Sequence, residues 1–86
     1  MIYLRNIIAQ HGLEVARFYY SRGAYVGAVN RANDVVHYFQ GTPSVPYALV
    51  LMVKSYRAMH LQKNADDTLH ILQYNYQHYF GYGWSI

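Results

Sequence analysis

The chain carries five histidines, at positions 11, 37, 60, 70 and 78. They are the obvious candidates for acid–base work or metal binding. None stands four residues from another, and no motif links one to a carboxylate, so neither chemistry is expected of them. Neither a nucleophile elbow, a phosphate-binding loop nor a zinc signature is present. Cysteine is absent, which removes disulfides, thiolate metal sites and cysteine nucleophiles. We therefore expect no enzyme and no cofactor. What remains is recognition chemistry. Arg31 heads this set, because a planar guanidinium can meet a carboxylate through two parallel hydrogen bonds; the nearest carboxylate is Asp34, on its own helix. Arg17 and Arg22 could extend a basic patch, Asn30 could hydrogen-bond beside Arg31, and Tyr20 could anchor an interface.

Such side chains act only if something holds them in place, and the apolar pattern says what does. Residues 2–21 carry Ile2, Leu4, Ile7, Ile8, Val15, Phe18 and Tyr19 at helical spacing. Gly12 in their midst predicts a bend or break, since glycine costs about 1 kcal/mol inside a helix. A second helix is expected from Ala24 to about Phe39, with Tyr25, Ala28, Val29, Ala32, Val35, Val36 and Phe39 inward. Its polar face holds Gly27, Asn30, Arg31, Asp34 and His37. Residues 41–46, GTPSVP, are a clear break, with Thr42 or Ser44 placed to cap a third helix that has proline in its first turn. That helix runs to about Met59 with Ala48, Leu49, Met52, Val53, Tyr56 and Met59 inward. A turn around residues 62–64 leads to a fourth, with Ala65, Leu69, Leu72 and Tyr76 inward and Asp66 and Asp67 at its start, favoured by the helix dipole. Residues 79–86 read as an irregular aromatic tail that caps the last helix.

These four helices form two hairpins, and the hairpins repeat. A shift of 37 positions carries Tyr19 onto Tyr56, Gly23 onto His60 and Ala28 onto Ala65. The offset is close to the tetratricopeptide period of about 34 residues. The expected fold is thus all-α, a tetratricopeptide-like α-solenoid of two antiparallel helix hairpins, in one domain over residues 1–86. In it Gly23 ends a helix in the left-handed region, and Ala28 is small because two helices cross there.

Bulk properties agree. With 86 residues and 53% hydrophobic content, the chain suffices for one small domain. Its net charge of +3 comes from seven Lys and Arg that never cluster, so nucleic acid is not an expected partner. No apolar run reaches the ~20 residues that span a bilayer. The first ten residues, MIYLRNIIAQ, hold no signal-peptide core.

Three segments, YLRN (3–6), VARFYYSRGAYVGAVNRA (15–32) and TPSVPYALVLMVKSY (42–56), together with the rest of residues 1–76, resemble the C-terminal part of the outer-membrane β-barrel assembly lipoprotein family, BamD/ComL. The resemblance implies a scaffold with five tetratricopeptide repeats, of which this chain matches the last two. It implies a lipid-anchored protein on the periplasmic face of the outer membrane; the anchor and any targeting signal are absent from this chain, which is expected to be a fragment. It implies docking onto POTRA domains of BamA, contact with BamE, and a part in handling unfolded outer-membrane proteins. Arg31 and Asn30 match the family's Asn-Arg pair, which meets an acidic residue of a POTRA domain; Arg22, Arg17 and Tyr20 would flank that contact. A generic tetratricopeptide adaptor gripping extended client segments is the alternative. Without upstream repeats the apolar side of the first helix (Ile2, Leu4, Ile7, Ile8) would lie bare, so self-association is expected.

Overall fold

In a computed structural model the described residues, 2–76, form four helices: α1 (Ile2–Ser21), α2 (Tyr25–Tyr38), α3 (Ser44–Ala58) and α4 (Gln62–Tyr76). The aromatic tail lies outside the described residues, as do the side chains of Ile2 and Tyr76. No described helix is long and apolar enough to cross a membrane. Helix α2 packs on α1 and α3, α3 packs on α4, and α1 lies against α3. The first and third helices thus form one layer and the second and fourth the other, the arrangement of an α-solenoid built from antiparallel hairpins.

The repeat is visible in the backbone. In the first turn the Gly23 amide donates to the Tyr20 carbonyl at 3.0 Å and the Ala24 amide to Tyr19 at 2.9 Å. In the second turn, 37 positions on, His60 donates to Arg57 at 3.0 Å and Leu61 to Tyr56 at 2.9 Å. Both are the paired bonds of a Schellman motif, which needs a left-handed residue just past the helix end. Gly23 supplies it with φ 79°, and His60 is driven to φ 61°. The second hairpin therefore keeps the geometry and lacks the residue that adopts it freely. An L-residue there costs about 1–2 kcal/mol, partly offset by the chain entropy a glycine loses on folding. His60 is exposed, and its ring makes no hydrogen bond or ring contact with a described residue. His60→Gly is expected to stabilise the chain by about 1 kcal/mol, raising the thermal midpoint by about 4–8 °C; an unchanged or lowered midpoint in a melting curve contradicts this.

Small residues and branched aliphatics make the core. Ala28 and Ala65, equivalent in the two hairpins, are both fully buried, as are Val35 and Leu72. Burying side chains of the size of Val35 and Leu72 contributes about 1.5–3 kcal/mol each. Val45, Ala48, Leu49 and Val53 complete the centre from α3.

Three expectations need correction. Helix α1 runs unbroken through Gly12. A Cβ there would stand 2.9 Å from Val35 Cγ2, so the glycine lets α1 and α2 approach rather than breaking the helix. Leu4, Ile7 and Ile8 lie exposed as expected, and Phe18 with them, while the inner face of α1 is Ala9, Leu13 and Ala16. Neither Thr42 nor Ser44 caps α3; the Thr42 hydroxyl donates back to the Phe39 carbonyl at 2.8 Å, and Pro43 holds the cap position. Finally, α4 begins at Gln62, so residues 62–64 are helix and the turn lies earlier. Asp66 and Asp67 accordingly sit in its second turn, where Asp66 accepts from Gln62 Nε2 at 2.9 Å and Asp67 pairs with Lys63 at 3.7 Å.

An unforeseen contact ties the first hairpin at its open end. Arg5 donates from Nη1 to the Gln40 carbonyl at 2.9 Å and from Nη2 to the Tyr38 carbonyl at 3.2 Å. Its guanidinium also lies 5.9 Å from the Phe39 ring centre. The carbonyls at the end of α2 lack helical donors, and a cation at that end also suits the helix dipole.

Candidate functional site

The side chains that could recognise a partner occupy three places. Arg31 and Asn30 project from the exposed side of α2. Arg31 makes no ion pair with Asp34; among the described residues the one ion pair is Lys63–Asp67. Its guanidinium is therefore uncommitted. Gly27, one turn before Arg31, lies against the Tyr19 ring, which a Cβ at Gly27 would meet at 3.4 Å. The helix bearing Arg31 is thus seated directly on α1 by the same small-residue packing that puts Ala28 at full burial.

Around the first turn, Arg22 stacks over Phe18 with its guanidinium carbon 5.0 Å from the ring centre. That contact is a cation–π interaction, worth about 0.5–1 kcal/mol at an exposed site. Tyr20 is half-buried against the core and meets Tyr25 edge-on at 5.5 Å between ring centres. That ring contact braces the turn between α1 and α2.

Arg17 is elsewhere. It lines two adjoining depressions between α1 and α3, which share Arg17 and Tyr47 and have volumes of about 270 and 200 Å³. The structure thus brings Arg31 and Asn30 together, sets Tyr20 and Arg22 at the turn, and places Arg17 on the α1–α3 side, away from α2.

Lys54 joins Arg17 in lining the second depression, and sequence reading passed it over. The signal was available: the 37-position offset that relates the two hairpins carries Arg17 onto Lys54. Of the histidines, His37 packs edge-on against Tyr38 at 4.9 Å, and no three His, Asp or Glu among the described residues gather as a metal site.

Comparison with known proteins adds a family to this geometry. The sequence model of the YfiO family, outer membrane lipoprotein, matches residues 1–71. The chain is similar to the outer membrane protein assembly factor BamD of Haemophilus influenzae, with 35% identity over 75 residues. It is similar to that of Neisseria meningitidis serogroup B, with 32% identity over 76 residues, and of Buchnera aphidicola, with 29% over 75. These matches cover 87%, 88% and 87% of this chain, and 29%, 28% and 30% of the respective relatives. The chain therefore spans less than a third of the length of the relatives it matches. No solved structure matches it significantly.

Proposed function

Because the chain belongs to the YfiO outer membrane lipoprotein family, we propose that it serves as a non-enzymatic scaffold in outer membrane protein assembly, its two repeats docking onto a POTRA domain of BamA. The observation that carries this reading is the uncommitted guanidinium of Arg31, beside Asn30, on a helix clamped to its neighbour by Gly27 and Ala28. A solenoid offers partners a fixed surface, and an arginine held there awaits a carboxylate. Arg22 and Tyr20 form the flank nearest the turn. BamE and unfolded outer-membrane proteins are further proposed partners, and the periplasmic face of the outer membrane is the proposed site of action.

The bare side of α1 belongs to the same proposal. Leu4 and Phe18 are each 54% exposed, and Ile7 and Ile8 nearly as much. Apolar side chains in such a row invite a covering surface. In isolation we expect copies of the chain to associate through it.

Sedimentation tests both statements. The chain alone should run as associated species, and an added purified POTRA array should draw it into a mixed complex whether or not unfolded barrel peptides also bind. A clean monomer at high concentration contradicts the first expectation. Capture of barrel peptides with no binding to the array overturns the docking reading in favour of a peptide adaptor.

A further inference from the structure

The second helices of the two repeats, α2 and α4, do not pack on each other, and a depression of about 380 Å³ lies between them at the open end of the hairpins. Val36 of α2, Gln40 of the loop that follows, Val45 and Leu49 of α3, and Ile71 and Asn75 of α4 line it. It shares no lining residue with the depressions beside Arg17, and none of its lining residues is charged. Val45 and Leu49 are buried and make an apolar floor, whereas Ile71 on the wall is 50% exposed. Asn75 brings polarity to the rim. Its Nδ2 donates to the Ile71 carbonyl at 3.0 Å, which leaves Oδ1 as the atom that can accept.

We propose that this depression seats the chain's own C-terminal segment, with the Trp84 ring between α2 and α4. Continuity selects this occupant. Asn75 lines the depression, α4 ends one residue later, and the chain goes on through the ten residues QHYFGYGWSI, 77–86. A segment tethered at the rim meets the depression at an effective concentration on the order of mM, which a free partner would have to match in solution. Composition agrees. The segment holds no Lys, Arg, Asp or Glu, as the depression holds none, and it is rich in aromatic rings. Trp84 is the largest of them. A tryptophan buries about 150–250 Å² and its ring N–H needs an acceptor when covered, which Asn75 Oδ1 offers. Trp84 stands nine positions after Asn75, so the chain must double back, and Gly81 and Gly83 just before it permit a tight turn. Seated there, the ring covers Ile71 and straps the second hairpin to α2 across the gap between the repeats. This goes beyond a cap over α4, and it stands independently of docking through Arg31, which takes no part in the depression.

Trp84 is the chain's only tryptophan, so its fluorescence in the full chain tests the proposal. Its emission should lie to the blue of that of the urea-unfolded chain, and acrylamide should quench it more slowly. Dilution should change neither, because the contact is intramolecular. Ile71→Glu puts a carboxylate on the wall, and covering it would strip its water; emission should then move to the red and quenching quicken, toward the values in urea. Tyr74→Glu makes the same kind of change on α4 at a residue that is 85% exposed and outside the depression, and should alter neither. Trp84→Ala should lower the urea midpoint of the unaltered chain and leave that of Ile71→Glu where it is, since the two residues form one contact. Circular dichroism checks that Ile71→Glu is helical; should it not be, Ile71→Ala serves in its place, with a smaller red shift expected. Emission equal to that of the unfolded chain, a blue shift that fades on dilution and so comes from a neighbouring copy, equal shifts in Ile71→Glu and Tyr74→Glu, or additive losses in the urea series overturn the proposal.

Discussion

Arg31→Glu is expected to abolish co-purification of the full-length protein with BamA while leaving helical content unchanged. The second half follows from the structure. Arg31 is exposed on α2 and bonds to no described residue, so its replacement removes no intramolecular contact. Glutamate is also a good helix former. The first half follows from the proposed partner. Reversing the sign of a charge that meets a carboxylate in a water-poor interface both removes the attraction and adds repulsion. Losing one partner of such a pair weakens binding by about 30-fold or more. Arg31→Lys keeps the charge and loses the bidentate fork, so it should fall between the two. Undiminished co-purification of Arg31→Glu removes Arg31 from the interface and the docking reading with it.

Gly12→Val should destabilise the chain by about 1–3 kcal/mol. Glycine in a helix ordinarily invites replacement, and on propensity alone valine would gain a little. Packing decides otherwise. Val35 Cγ2 would lie 2.9 Å from the new Cβ. It cannot swing aside, because Val35 is 1% exposed within the core and a β-branched side chain in a helix keeps one rotamer. Either α1 and α2 move apart or the helix distorts. The double variant with Val35→Ala relieves the contact, so its loss should be smaller than the sum of the two single losses. Urea denaturation of the four proteins measures this. Additive losses contradict the close approach, and a stable Gly12→Val shows that the seam yields.

Gly12 also marks where the sequence was legible and where it was not. Helix number, hairpin pairing and the 37-residue repeat follow from spacing and turn chemistry, which are local properties, and Gly23 was read correctly for that reason. A glycine that lets two helices touch looks the same in the sequence as one that breaks a helix. Only the position of Val35, 23 residues away, tells them apart. The inner face of α1 was missed on similar grounds. Ile7, Ile8 and Phe18 outweigh Ala9 and Ala16 in any hydrophobic pattern, yet close crossing selects the small residues, and the bulky ones face outward. At the candidate site, Arg31 drew notice through its family resemblance. Lys54 did not, because a lone lysine on a helix resembles any solvated cation until its repeat-mate Arg17 is seen beside the same groove.

Arg5 carries one more consequence. Its guanidinium serves carbonyls 33 and 35 positions away, at the far end of the next helix. End fraying is ordinarily a private affair of each helix. Here the opening turn of α1 and the closing turn of α2 share a fastening, so loosening either one releases the other. With the Gly23 turn at the opposite end, the first hairpin is latched at both extremities, and its two helices are expected to melt together.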